Sequence, residues 1–255
     1  MSRRRKGTTT ISKVERVKAI RPFSDFELTR VLDAAVESMN EYATVFLLLA
    51  RTGMRPGEAF ALQVDDLDLT RKKILVERGL SGGEVGTNKT DDRREVDMSE
   101  ELAIVLASML EQREALGEGE TRDYVFVNGA GGLPDESRVR KQFKKVLWKA
   151  GVTGHRLYDL RHTFATSLLA KGAPITYVAH QLGHSNPATT LRFYARWIAS
   201  NDGGYAHLLD AAGKSVVPDS TDTPVKPKKP LKINAPSETR TPDPLIKSQL
   251  LYQLS

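Results

Sequence analysis

The chain of 255 residues carries 38 Lys+Arg against 32 Asp+Glu, a formal net charge of +6, with 40% hydrophobic and 27% charged residues, the balance of an ordinary globular protein. It contains no cysteine, which excludes disulfide scaffolds, cysteine-ligated zinc, iron–sulfur clusters and thiol nucleophiles. No apolar run approaches the ~18 residues of a membrane span, and the basic start lacks the apolar core of a signal peptide, so a soluble protein of a reducing compartment, the cytoplasm, is expected.

Residues 1–20, rich in Arg, Lys and Thr, read as a linker or basic arm. A helix is predicted from Ser24: Ser24-x-x-Glu27 forms a capping box, and Phe26, Leu28, Val31, Leu32 and Ala35 follow at helical spacing. The apolar run of residues 45–50 predicts a second helix over 42–51, stopped at Gly53, and Pro56 suits the first turn of a short helix reaching Leu62. The period then changes. Residues 66–69 alternate, residues 74–76 read as strand and residues 94–98 as another, with a Gly-rich, charged turn over 79–92 between the last two. Ser99 caps a predicted helix over 100–116, and residues 123–127 read as a short strand. Four further helices are predicted over 135–150, 159–171, 174–182 and 187–199, the first three each stopped by a glycine. The expected fold class is α+β, mostly helical over residues 21–212 with a small antiparallel β-sheet. Beyond that, Lys, Pro, Thr, Ser and Asp dominate, so residues 213–255 are expected to form a disordered tail.

Four constellations carry chemistry. They are Thr52-Gly53-Met54-Arg55-Pro56-Gly57-Glu58 at a helix junction, Asn88-Lys89-Thr90 at the expected hairpin tip, and Tyr158-Asp159-Leu160-Arg161-His162-Thr163 at a helix start. The fourth is Leu182-Gly183-His184-Ser185, followed by Thr189-Thr190 and Phe193-Tyr194-Ala195-Arg196. Each alone has an ordinary explanation: Arg55 caps a surface helix, Lys89 is solvated, Arg161 pairs with Asp159 or Glu58, His184 caps the helix opening at Pro187, and Tyr194 packs in the core. Together, two Arg, a Lys, a His and a Tyr offer many donors and one phenol, with no acid/base carboxylate pair. That set suits a pentavalent phosphate dianion better than a sugar or a peptide. Guanidinium forks bind non-bridging phosphoryl oxygens bidentately, and fixed donors aimed at developing charge supply most of such catalysis. A phenol of ordinary pKa, about 10, is a poor nucleophile near neutrality, so the surrounding cations must stabilise its developing phenolate.

In their order and approximate spacing these motifs resemble the tyrosine recombinases, or phage integrases, over about residues 21–212. The resemblance implies a tyrosine-recombinase catalytic domain in which Arg55 and Arg161 clamp the scissile phosphate. Lys89 would act as general acid toward the leaving 5′ oxygen, His184 would hydrogen-bond a phosphoryl oxygen, and Tyr194 would attack phosphorus, with Glu58 as acidic support. It implies a 3′-phosphotyrosyl intermediate resealed by the partner strand's hydroxyl, with no cofactor, neither metal nor ATP. The implied partners are double-stranded DNA, a tetramer of the protein assembled on it, and an accessory protein that directs excision; no membrane is involved.

Two features depart from the family pattern. The position three residues before the second Arg, usually His, holds Tyr158, whose phenol donates a hydrogen bond but accepts a proton poorly near neutrality. These enzymes also carry a helical core-binding domain before the catalytic one, whereas 20 residues precede Arg21 here, so a truncation or incomplete gene product is expected.

Residues 237–255 have a second reading through their codons. Leu251 to Ser255 back-translate to the complement of a tRNA D-arm, Thr239-Arg240-Thr241 to that of a T-loop, and Leu245 to Leu250 to an anticodon stem around a lysine anticodon. The gene is therefore expected to end antisense within a lysine-tRNA sequence, the kind of attachment site that integrating elements of this family use.

Other readings compete. Gly83-x4-Asn88-Lys89-Thr90 approximates a phosphate-binding loop, but Asn88 replaces the required Gly and a charged strand follows in place of a helix. Residues 175–183 and 187–197 fit a helix-turn-helix with Arg192 and Arg196 on the recognition helix, which would make a catalytically silent DNA binder. A type IB topoisomerase shares the phosphotyrosyl chemistry.

Overall fold

The first helix, α1 (Asp25–Glu37), begins as its capping box dictates: Ser24 Oγ accepts from the Glu27 N–H at 3.2 Å, and the Glu27 carboxylate accepts from the Ser24 N–H at 2.9 Å. The structure, a computed structural model, describes residues 20–87, 93–115, 124–129 and 131–198. The predicted tail, nearly all of the predicted arm and the Asn88-Lys89-Thr90 motif lie outside the described residues.

Helix α2 (Ala43–Thr52) is apolar nearly all round and is buried, as such a helix must be. It ends at Gly53, and α3 (Pro56–Phe60) starts three residues later with proline in its first turn. A 3₁₀ turn (Val64–Asp66) leads into β1 (Leu67–Asp68), β2 (Lys73–Val76), β3 (Arg78–Ser81), β4 (Glu84–Thr87) and β5 (Arg94–Asp97). Strands β1, β2 and β5 form one antiparallel sheet in that order, with Ile74 opposite both Leu67 and Val96. Ile74, Val76 and Val96 face the core.

A second, two-stranded sheet is the β3–β4 hairpin, which lies inside the segment expected to be a turn. Neither of its faces is buried, so it carries no apolar alternation to read. The hairpin turns at Gly82-Gly83, not at the tip expected at residues 88–90. The strand predicted over 123–127 is reduced to an isolated bridge between Gln63 and Tyr124. Val125 and Phe126 are apolar because they are buried, not because they pair in a sheet.

The remaining helices are α4 (Glu100–Ala115), α5 (Glu136–Lys149), α6 (Asp159–Ala170), α7 (Ile175–Leu182) and α8 (Pro187–Tyr194). Helix α8 is shorter than predicted because the chain tightens at Ala195–Trp197 into a 3₁₀ turn, a common helix ending. A large core cluster joins α1, α2, α3, the three-stranded sheet, α4 and α5. A smaller one joins Ala165 and Leu169 of α6, Val178 and Leu182 of α7, and Tyr194 of α8. Helix α6 packs along α2, so the seam between the clusters runs beside both helices. Among the described residues no helix is long and apolar enough to cross a membrane.

Candidate active site

Helix ends meet at this seam: the last turns of α2 and α7, the start of α3 and the first turn of α6. The last carbonyls of a helix have no partner within it and carry partial negative charge, so helix C-termini attract cations. Arg161, on the first turn of α6 and 2% exposed, takes up two of these carbonyls. Its Nη1 donates to the Gly53 carbonyl and its Nη2 to the Leu182 carbonyl, each at 2.6 Å. Burial pushes its pKa down, opposed by the nearby Tyr158 phenol and reinforced by Arg55, yet a guanidinium keeps its charge. No described carboxylate forms an ion pair with it. Asp159 is engaged by Arg156 at 3.0 Å, and Glu58 by Arg55 and Arg94, which removes the ordinary explanation of Arg161 as an ion-pair partner.

Arg55 is the N-cap residue of α3, and 44% of its side chain is exposed. Its Nη1 donates to Glu58 Oε1 at 2.7 Å and its Nη2 to the Gly183 carbonyl at 3.3 Å. Glu58, one turn on and 3% exposed, also accepts from the Arg55 backbone N–H at 2.8 Å. The buried Arg94 donates to both its oxygens, at 3.1 and 2.7 Å. Burial alone would raise the Glu58 pKa; the hydrogen bonds and charge of Arg94, followed by Arg55, overcome it and hold the carboxyl at about 2.

His184 stands between Arg161 and α8. Its Nε2 is 3.3 Å from Arg161 Nη2 and its Nδ1 is 2.7 Å from Thr190 Oγ1. Burial, then Arg161, Arg55 and Arg94, push its pKa down to about 4, so the ring is neutral at pH 7. Because the Arg161 nitrogen is a donor, Nε2 accepts and Nδ1–H donates to Thr190. His184 does not cap α8; the Asn186 side chain does, accepting from the Ala188 N–H at 2.8 Å.

Tyr194, 2% exposed, is a core residue of the smaller cluster, but its polar end is engaged: Oη lies 2.7 Å from His162 Nδ1. Burial raises the phenol's pKa well above its ordinary value against the pull of Arg161. His162 is pushed down to about 4, by burial first, with Asp159 opposing and Arg161 and Arg156 reinforcing. Tyr158 sits at the rim, 41% exposed, its ring edge-on to His162 with centroids 5.2 Å apart.

Of the residues singled out from the sequence, Arg55, Glu58, Arg161 and His184 fall into one hydrogen-bonded cluster. Tyr194 joins it through His162, the neighbour of Arg161, and Lys89 lies outside the described residues. A cleft of about 820 Å³ adjoins the cluster, with Arg55, Tyr158, Arg140, Lys144 and Arg156 among the residues on its wall. Sequence reasoning missed Arg94 and passed over His162. Strand parity could have found Arg94, since it shares a face with the buried Val96 and Met98. Among the described residues no three His, Asp or Glu side chains converge as metal ligands.

A mostly helical α+β domain with this cluster at its helix ends defines a class, that of the tyrosine recombinase catalytic domains. The crystal structure of XerA recombinase matches 76% of this chain and 66% of that one, at 31% identity and a TM-score of 0.58. The structure of the Tn1549 transposon integrase in complex with circular intermediate DNA matches 75% of this chain and 67% of that one, at 20% identity and a TM-score of 0.62, a likeness of fold. In sequence, the XerC-like tyrosine recombinase of Caldanaerobacter subterraneus subsp. tengcongensis is 29% identical over 201 residues, 70% of this chain and 51% of that protein. The sequence model of the phage integrase family matches residues 23–199, and the chain belongs to that family. It spans about half the length of the curated relatives it matches.

Proposed function

We propose that the chain carries the catalytic domain of a site-specific DNA recombinase of the integrase type, which cuts and rejoins double-stranded DNA through a 3′-phosphotyrosyl intermediate. One observation carries the reading. Arg161 is a fully buried cation held by carbonyl dipoles and an imidazole, and no described carboxylate forms an ion pair with it. Burying an unpaired charge is costly, and the cost is recovered when an anion arrives. A phosphodiester seated between Arg161 and the half-exposed Arg55 supplies that anion.

In this reading the Tyr194 oxygen attacks phosphorus, the P–O5′ bond breaks, and the Lys89 ammonium gives its proton to the departing 5′ oxygen. Arg55 and Arg161 hold the non-bridging oxygens, where charge grows in the transition state. Phosphate beside His184 favours its imidazolium, so that Nε2–H donates to a phosphoryl oxygen while Thr190 keeps the ring oriented. Tyr158 donates from the rim, and Glu58 braces Arg55. The basic side chains along the adjoining cleft suit the flanking backbone. Recombination would run in a tetramer on the DNA, with an accessory protein directing excision. The codon reading of residues 237–255 points to a lysine-tRNA gene as the target.

The full chain, incubated with nicked duplexes randomised across the cleavage region and with a duplex of the lysine-tRNA sequence, should form a denaturant-stable protein–DNA adduct. The adduct should vanish in Tyr194→Phe. Arg161→Ala should slow its formation about 100-fold or more, with a smaller loss of DNA affinity, because the contact strengthens in the transition state. A mobility shift without any adduct, or an adduct that survives Tyr194→Phe, overturns the reading.

A further inference from the structure

The attacking phenol must lose a proton, and the family position that usually holds a histidine holds Tyr158 here. We propose that His162 accepts the Tyr194 proton through Nδ1 during attack on the scissile phosphate, and returns it when the bond to Tyr194 is broken. The inference rests on the reading of Tyr194 as the nucleophile.

Geometry carries it. Nδ1 of His162 lies 2.7 Å from Tyr194 Oη, within direct transfer distance. The ring is fixed from two sides: its backbone belongs to the first turn of α6, next to Arg161, and Tyr158 packs edge-on against it. The base thus sits next in the chain to a guanidinium proposed to hold the phosphate, and in hydrogen-bond contact with the oxygen that must advance toward phosphorus. Charge is consistent with the role. The groups facing His162 are Asp159, Arg161 and Arg156 from its own segment, Tyr158 at the rim, Tyr194 from α8 and, farther off, His184. Among them they leave the ring neutral at pH 7, with a lone pair to accept the phenol's hydrogen, while burial keeps that hydrogen on Tyr194 before DNA arrives. An incoming phosphodiester adds negative charge nearby and raises the basicity of the imidazole. Tyr158 cannot substitute, since its own phenol is a weak acceptor near neutrality.

The step balances. The O–P bond to Tyr194 forms as the P–O5′ bond breaks, the phenolic proton moves to His162 Nδ1, and the leaving 5′ oxygen takes its proton from Lys89. Rejoining reverses each transfer: the attacking 5′-hydroxyl gives its proton to Lys89, and the imidazolium reprotonates the departing phenolate.

The test uses a nicked duplex that yields the adduct with wild-type protein, prepared with oxygen or with sulfur at the bridging 5′ position. A thiolate leaves without protonation, so sulfur relieves a missing general acid but not a missing base. His162→Asn keeps a hydrogen-bonding atom near the Nδ1 position but cannot take up a proton. It should slow single-turnover cleavage about 100-fold or more on both substrates, with DNA affinity and unfolding midpoint close to wild type. Lys89→Ala should be slow with oxygen and largely restored with sulfur. Added imidazole should partly restore His162→Ala, which guards against misfolding as the cause. Cleavage by His162→Asn within about threefold of wild type overturns the proposal, as does its restoration by sulfur. Absence of any adduct with wild-type protein is a different failure, that of the recombinase reading itself.

Discussion

Glu58 is a carboxyl group whose ionisation burial disfavours, and two arginines keep it ionised nonetheless. Arg94 grips both its oxygens from the buried side, and Arg55 takes one of them from the open side. The carboxylate therefore aims a solvent-facing guanidinium while a buried one anchors it. Removing its charge strands Arg94 in the interior, and breaking such a pair costs about 3–5 kcal/mol. Glu58→Gln should lower unfolding free energy by roughly that amount in urea titration, and should slow adduct formation as Arg55 loses its brace. Glu58→Leu with Arg94→Met replaces both charges by apolar groups and should recover most of the stability, while cleavage stays low. Equal recovery of both would show that Glu58 serves the fold alone. At this scale the sequence was legible where a residue's type announces its chemistry: Arg55, Glu58, Arg161 and His184, singled out by type and motif, lie together at the end of α7. Arg94 was not, because an arginine on a short strand looks solvated until its inward parity is read against Val96 and Met98. His162 was passed over because its offset from Arg161 fits no motif. Only the packing of α8 against α6 brings Tyr194 to it.

The site is built from helix ends, which makes the endings of α2 and α7 as consequential as the side chains they position. Helix α7 stops at Gly183 with φ of +63°, a left-handed conformation that releases the Leu182 carbonyl toward Arg161 and the Gly183 carbonyl toward Arg55. A Cβ at Gly183 would also stand 2.8 Å from the Arg94 guanidinium. Gly172, with φ of +82°, gives a control, because a Cβ there would meet nothing within 4 Å. Gly172→Ala should cost only the left-handed backbone term, about 1–2 kcal/mol. Gly183→Ala should cost more in urea titration, and of the two variants it alone should slow cleavage, since it moves Arg94 and the two carbonyls together. Equal costs and equal activities would detach the α7 ending from the site. Glycine and proline punctuation made most helix ends legible, including those at Gly53 and Gly183. The β3–β4 hairpin was not, since neither face is buried and no apolar period marks it. The supposed strand at 123–127 misled for the opposite reason: an apolar run records burial, and only pairing partners distant in sequence decide whether it becomes a strand.

Over the whole molecule, family membership was legible only when four motifs spread along the chain were read jointly, because each alone had an ordinary explanation and the fold supplies their meeting point. That meeting point also fixes the protein's response to acid. At pH 7 the groups of the seam include two neutral imidazoles, His162 and His184, and the ionised carboxylate of Glu58. Both histidines fall from an ordinary 6.5 to about 4 on folding. Between those values the unfolded chain binds protons that the folded chain refuses, so stability is complete above about pH 6.5 and declines as pH drops toward 4. The carboxyl of Glu58 falls from 4.5 to about 2, so its contribution is lost in the next window, from about 4.5 downward. Discounted for the partial exposure of both rings, the histidines together should contribute about 2 kcal/mol, which lowers Tm by roughly 4–8 °C between pH 7 and pH 4. Thermal unfolding across that range checks it, with His162→Gln/His184→Gln as comparison. The double variant should lose the upper part of the slope and keep the part below about pH 4.5 that belongs to Glu58. An unchanged slope in the double variant would mean that the imidazoles titrate in the folded protein as they do in the unfolded chain, near 6.5. Below about pH 6.5 His184 Nε2 could not then accept from Arg161, and the buried guanidinium would there face a second cation in place of a neutral ring.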